Sequence, residues 1–298
     1  MRFPCVRLPR MPRMPRQRSG ATVRHRRLAA QLRQMREAAG MTQEDVAERT
    51  GKDRSTLYRL ESALQRPQRS TLIQLMDIYG VEDPHRGELL TLLKESAQRG
   101  WVQPYRSELP EVYSDYIGFE DEARSISNYE SLFVPGLLQT EDYARAVIKG
   151  TLPHATTEEV ENRLSARMER QTLLTRNDPP RLWAIMDEAA ARRQVGGRKI
   201  MAAQLGKLRE AASLPNVTIQ VIPFEAGAHP GMHGSFIALD FPDPADQSIV
   251  YVESMAGDLF LEEETEISRY IVMFEHLRAA ALRPDESLSL LAAVADQS

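Results

Sequence analysis

The 298-residue sequence predicts a mainly α unit of five helices followed by an α+β unit, and three observations carry that prediction. Residues 22–98 repeat apolar side chains at three- and four-residue intervals, interrupted by glycine or proline, as short amphipathic helices do. From residue 182 the period changes: Leu182 to Met186, Val217 to Ile222, Ser235 to Phe241 and Ile249 to Glu253 read as strands, with helices at 156–175, 198–213 and 263–281. They follow no repeating strand–helix–strand rhythm, which favours α+β. Charge divides the chain in the same way. Residues 1–80 hold seventeen Lys and Arg against seven Asp and Glu, a net of +10, whereas the remainder holds 21 against 35, a net of −14.

Taken in order, residues 1–20 carry six arginines and four prolines and no acid, a composition that predicts a disordered basic tail. Two readings of it stand open, an arm that adds phosphate contacts and a start codon placed upstream of the native one. Residues 21–98 form the first unit. Its first helix begins near Thr22, turns Leu28, Leu32 and Met35 inward and ends at Gly40. Thr42, followed three residues later by Asp45, opens the second helix, and Gly51 stops it. Asp53 opens the third, in which Leu57 and Leu60 face inward and Arg54 with Tyr58, and Ser55 with Arg59, stack outward as i, i+4 pairs. After Arg66-Pro67 a fourth helix starts at Ser70, and Asp83-Pro84 opens a fifth that reaches about Gln98. Residues 99–112, with Pro104 and Pro110, read as a linker, and 113–298 as the second unit. There, Tyr116 to Tyr129 is helical in pattern, and Thr140 caps a helix that buries Tyr143, Val147 and Ile148.

Two short helices across a glycine turn, the second presenting Arg, Ser, Thr and Tyr, have the form of a helix-turn-helix whose second helix enters a major groove. Thr42-Gln43-Glu44-x-Val46-Ala47, then Gly51, then Arg54-Ser55-Thr56-Leu57-x-Arg59-Leu60-Glu61 resembles the XRE/Cro/repressor family. The resemblance implies a lambda-repressor-like fold that binds double-stranded DNA as a homodimer on paired half-sites. At its positions Arg54 reads guanine, Ser55 and Thr56 reach phosphate or a base, and Tyr58 and Arg59 extend the surface. Gln43 bonds a phosphate or braces the recognition helix, Lys52 reaches a phosphate, and Arg36 with Glu61 forms an internal ion pair. Thr50 and Lys52 depart from the family pattern, which commonly has apolar residues there.

Val134-Pro135-Gly136-Leu137-Leu138-Gln139-Thr140-x-x-Tyr143-Ala144-Arg145 resembles the C-terminal domain of WhiJ-like regulators, common in actinomycetes. The likeness continues through Arg170-Gln171, Asp187-Glu188-Ala189, Gln204-Leu205, Asn216 to Pro223, Ala226 to His229 and Tyr251-Val252-Glu253, with Ala191 as a departure.

Catalysis is not expected. His229 and His233 are separated by Pro230-Gly231, so they cannot share a helical face, and no metal or cofactor is expected. No serine carries a suitably placed downstream lysine, since the last lysine is Lys207, and no phosphate-binding loop appears. The single Cys5 and the lack of any apolar run near eighteen residues point to a cytoplasmic, nucleoid-associated protein with no membrane partner. Two functions follow. One is a transcription regulator whose acidic C-terminal domain receives a small-molecule or protein signal. The alternative is an antitoxin-like module that binds a small partner protein and autoregulates its operon, with Trp183, Tyr143 and the Gly227–Gly234 loop as contact places.

Overall fold

The structure is a computed structural model that describes residues 22–96, 109–244, 246–254 and 257–297. The predicted tail over 1–20 and most of the predicted linker over 99–112 lie outside these residues. The first unit contains α1 (Val23–Ala38), α2 (Gln43–Thr50), α3 (Arg54–Glu61), α4 (Arg69–Ile78) and α5 (His85–Glu95). Thr22 caps α1 by accepting from His25 N at 3.1 Å. A full capping box opens α2, in which Thr42 Oγ1 accepts from Asp45 N and Asp45 Oδ2 accepts from Thr42 N at 2.8 Å. Gly51 ends α2 at φ 66°, a left-handed conformation that glycine adopts without a Cβ penalty. Asp53 occupies the N-cap position of α3, but its side chain makes no capping hydrogen bond. Leu28, Leu32, Val46, Leu57, Leu60, Leu72, Leu75, Met76 and Leu89 close one buried core.

The second unit opens with α6 (Glu111–Glu122) and β1 (Ser125–Glu130), where the sequence pattern suggested a continuous helix from Tyr116 to Tyr129. That expectation is corrected at Ala123, whose ψ of 141° is extended and ends the helix. Ser125, Ser127 and Asn128 then compete with helical hydrogen bonding, while Ile126 and Tyr129 take opposite faces of a strand. From β1 the chain runs through α7 (Glu141–Thr151), α8 (Thr157–Arg170), β2 (Arg181–Asp187), α9 (Glu188–Arg192), α10 (Arg198–Ala211) and β3 (Val217–Ile222). β4 (Phe236–Asp240), β5 (Ile249–Val252), β6 (Leu259–Leu261), α11 (Glu264–Ala280) and α12 (Pro284–Asp296) follow.

These strands form one mixed sheet in the order β3-β2-β1-β4-β5-β6. β1, β2 and β3 pair in parallel across helical crossovers, and β4, β5 and β6 continue antiparallel. The first half therefore does wind as strand–helix–strand, contrary to the sequence expectation, because β1 lies where the pattern predicts a helix. One face of the sheet, with Ile126, Ala184, Met186, Ile219 and Leu239, packs on α7, α10 and α12 through Tyr143, Leu205, Leu208 and Leu291. The other, with Tyr129, Ile185, Phe236 and Val250, packs on Ile267, Phe274 and Leu277 of α11.

A buried ionic cluster ties α8 to α6. Arg170 Nε donates to Glu120 Oε2 at 2.7 Å and its Nη1 to Tyr113 Oη at 2.6 Å, while Tyr116 Oη donates to Glu120. At the end of β1, burial pushes the Glu130 carboxyl up to about 7, against opposing hydrogen bonds from Ser235 and Asn128. A carboxyl that holds its proton more tightly when folded subtracts stability as pH rises from its unfolded value, near 4.3, towards 7, and subtracts it in full above that. Glu130→Gln is therefore expected to melt on the order of 2–4 °C above the parent at pH 8 and level with it at pH 4.5, measured by thermal unfolding. An equal offset at both pH values would free Glu130 of this role.

α1 also packs on the second unit. Val23 joins that unit's core, and the Arg26 guanidinium lies 4.4 Å above the Phe119 ring while donating to Glu262 Oε1 at 2.7 Å. Arg27 pairs with Asp243, and Arg24 stands 3.5 Å from Glu95 of α5 and 3.8 Å from Glu122 of α6.

Candidate nucleic-acid interface

The interface is built from α2 and α3, held at a fixed angle by charge as well as by apolar packing. Leu57 and Leu60 bury one side of α3 in the core. At its last residue, Glu61 accepts from Arg36 Nε at 2.7 Å, from Arg36 Nη2 at 3.1 Å and from Gln43 Nε2 at 2.7 Å. Arg36 also donates from Nη1 to Met41 O at 2.8 Å, so one guanidinium and one carboxylate join α1, the turn after it, and α3. The Glu61 side chain is 5% exposed and that of Arg36 11%. Hydrogen bonding to Glu61 raises the Arg36 pKa above its ordinary value, so the guanidinium stays charged. Of the two uses of Gln43 open in the sequence, the structure displays the brace, since its amide is bonded to Glu61.

The opposite side of α3 faces outward. The Arg54 side chain is 67% exposed and pairs with Glu44 Oε1 of α2 at 2.8 Å. An exposed pair of this kind contributes about 0–1 kcal/mol, so it orients Arg54 without withholding it from a stronger acceptor. Ser55 is exposed, and Tyr58 is 53% exposed, an unusual position for an aromatic ring with no role in the core. Arg59 lies back along the helix, donating from Nη2 to Thr56 Oγ1 at 3.1 Å and from Nε to Gln65 Oε1 at 3.2 Å. Lys52 sits half-buried in the turn between the helices. Thr50 satisfies its hydroxyl locally by donating to Val46 O at 2.7 Å, while Gln74 Nε2 of α4 donates to Thr50 O at 3.3 Å. The polar residue at this departure from the family pattern is thus accommodated by the backbone.

Apart from Lys52, the candidate residues fall into three groups. Arg36, Gln43 and Glu61 form a buried network, Thr56 and Arg59 share a surface hydrogen bond, and Arg54, Ser55 and Tyr58 stand outward. Glu44 and Gln65, which hold Arg54 and Arg59, were not singled out from the sequence; a carboxylate on one helix and an arginine on the next are ten residues apart, and no helical spacing signals their meeting.

The second unit distributes its candidate residues differently. Tyr143 is fully buried with its hydroxyl accepting from Val134 N at 3.1 Å, which corrects the idea that it offers a contact to a partner. Trp183 donates from Nε1 to Gln220 at 2.8 Å and lies beneath the Arg278 guanidinium, 3.8 Å from its ring centre. In the Gly227–Gly234 loop, His229 Nε2 stands 3.2 Å from Asp187 Oδ2, and Met232 is 71% exposed. Gly231 is required there, because a Cβ would come within 2.3 Å of the Tyr129 ring. Among the described residues no three His, Cys, Asp or Glu side chains converge as metal ligands, and no helix is long and apolar enough to cross a membrane.

Comparison with known families divides the chain as its charge does. A family model described as a helix-turn-helix domain matches residues 27–89, which contain α2, α3 and the core that carries them. A second, described as a domain of unknown function (DUF5753), matches residues 113–293, more than half of the chain. No curated protein and no solved structure matches it.

Proposed function

Because the chain belongs to the DUF5753 family and carries a helix-turn-helix domain ahead of that region, we propose that it is a sequence-specific transcription regulator of the XRE type. The observation that carries this reading is α3, anchored on one side by Leu57, Leu60 and Glu61 and presenting Arg54, Ser55 and Tyr58 to solvent on the other. In the major groove Arg54 would exchange its Glu44 partner for guanine O6 and N7, which match its planar fork. Ser55, Thr56, Tyr58 and Arg59 extend the contact, and Lys52 reaches a phosphate beside the turn. Two copies bind paired half-sites in the cytoplasm, and the WhiJ-like C-terminal domain receives a signal and performs no catalysis.

Arg54→Ala tests the base-reading role. Once chromosomal footprinting has supplied the operator, the variant is expected to lose about 1–3 kcal/mol of binding to it, roughly 5- to 150-fold, while binding scrambled duplex nearly as the parent does. Equal losses on both duplexes would assign Arg54 to the phosphate backbone.

An antitoxin-like second reading draws on one feature of the surface. Phe224, 56% exposed, and Met232, 71% exposed, present apolar side chains in the loops between β3 and β4, where a small partner protein would cover them. Purification from the native host with no stoichiometric small protein would remove it.

A further inference from the structure

A cleft of about 610 Å³ lies between the two units, bounded by α1 and α5 on one side and by the end of α6 and the loop after β4 on the other. Its volume is in the range of small-molecule sites, and its lining is charged, with six carboxylates against four guanidiniums. Three of the arginines are already engaged, Arg27 with Asp243, Arg24 with Glu95 and Glu122, and Arg176 with Asp121. Asp246 is poorly matched in return. Asp246, whose side chain is only 10% exposed, has an Oδ1 atom that receives no hydrogen bond among the described residues; the Arg27 Nε, itself without an acceptor there, stands 4.0 Å away, within ion-pair reach but too far to donate. A buried acceptor without a donor costs free energy unless something supplies one.

From this geometry we propose that the cleft binds an organic cation bearing ammonium groups, with Asp246 and Glu122 as its acceptors. A lone metal ion fits poorly, since no three carboxylates converge on one point among the described residues, whereas an amine chain can reach separated carboxylates one at a time. The apolar walls at Val23 and Phe241 suit the methylenes between its nitrogens. Protonation supports the same assignment. Burial pushes the Glu122 carboxyl up to about 7, with Arg24 opposing and Asp121, Asp246 and Glu95 adding repulsion, and burial likewise raises Asp246 against the pull of Arg27. A bound cation would ionise Glu122 and release its proton. Because α1 forms one wall, occupancy would stiffen the joint between the DNA-binding head and the domain proposed to receive the signal. Only this regulatory meaning rests on the proposed function; the binding site does not.

Titration calorimetry of the full chain with spermidine tests the site. One saturable site is expected at pH 7.5, with Kd raised at least tenfold in Glu122→Gln and in Asp246→Asn. Between pH 6 and 8 the parent's affinity should rise as Glu122 gives up its proton, and paired buffers of different ionisation enthalpy should register proton release near pH 7. Both substitutions relieve repulsion, so folding is expected to survive them, as circular dichroism would verify. Absence of saturable heat, an affinity unchanged by both substitutions, or displacement of spermidine by equimolar Mg²⁺ would each overturn the proposal. Duplex binding, measured separately, reports on the regulator reading: a head that prefers no sequence while spermidine still binds removes that reading and leaves the site.

Discussion

Arg170→Met is expected to lower the stability of the second unit by about 3–5 kcal/mol, the usual cost of stripping one partner from a buried ion pair. The methionine can follow the arginine stem through the same space, so the loss isolates charge and hydrogen bonding from volume. It leaves Glu120, whose side chain is 2% exposed, without the two guanidinium N–H groups that now reach it at 2.7 and 2.9 Å. The Tyr113 hydroxyl loses its donor as well. For a unit of this size the melting temperature should fall by roughly 6–20 °C. Arg170→Lys keeps a positive charge but not the planar fork, and should fall between parent and Met. The decisive comparison is Arg170→Met with Glu120→Leu, which removes both charges and should recover most of the loss. A single Met variant within about 1 kcal/mol of the parent, measured by chemical denaturation, would mean that water reaches the pair.

How legible this architecture is from sequence depends on whether the signal is local. The helices of the head announce themselves within a few residues, through Thr42 with Asp45, the left-handed Gly51, and leucines three apart in α3. β1 carries no such mark, because its serines and asparagine suit turns as well as strands, and its identity comes from pairing with β2 and β4 more than fifty residues away. α12 does carry a local mark, Pro284 in its first turn followed by Asp285 and Glu286, which the sequence expectation does not include. The charge asymmetry was legible but incomplete. Arg24, Arg26 and Arg27 belong to the basic share of the chain, yet α1 turns them onto Glu122, Glu262 and Asp243 of the acidic share. Part of what reads in a charge count as attraction for a polyanion is therefore spent inside the molecule. A count cannot tell these arginines from Arg54 and Arg59, because the distinction lies in which helix face meets the second unit.

Glu61→Ala is expected to destabilise the head by about 3–5 kcal/mol and, unlike Arg54→Ala, to weaken binding to operator and scrambled duplex alike. α3 is eight residues long, too short to hold a helix unaided, so its place depends on tertiary anchors. Glu61 serves three of them at once, two N–H groups of Arg36 and the amide of Gln43. Without it the Arg36 guanidinium keeps only the Met41 carbonyl at 2.8 Å and the exposed Glu37 carboxylate at 3.5 Å to accept from it, and Gln43 loses its fixed position at the start of α2. Arg36→Met with Glu61→Met should restore stability towards the parent, because an apolar pair avoids the desolvation that the ionic pair incurs. Denaturation of each single variant and of the double variant yields the coupling directly. A stable Glu61→Ala head that has lost only operator preference would place the carboxylate on a base. The buried 2.7 Å contact to Arg36 argues for the other outcome, in which Glu61 sets the angle of the helix and Arg54 reads the sequence.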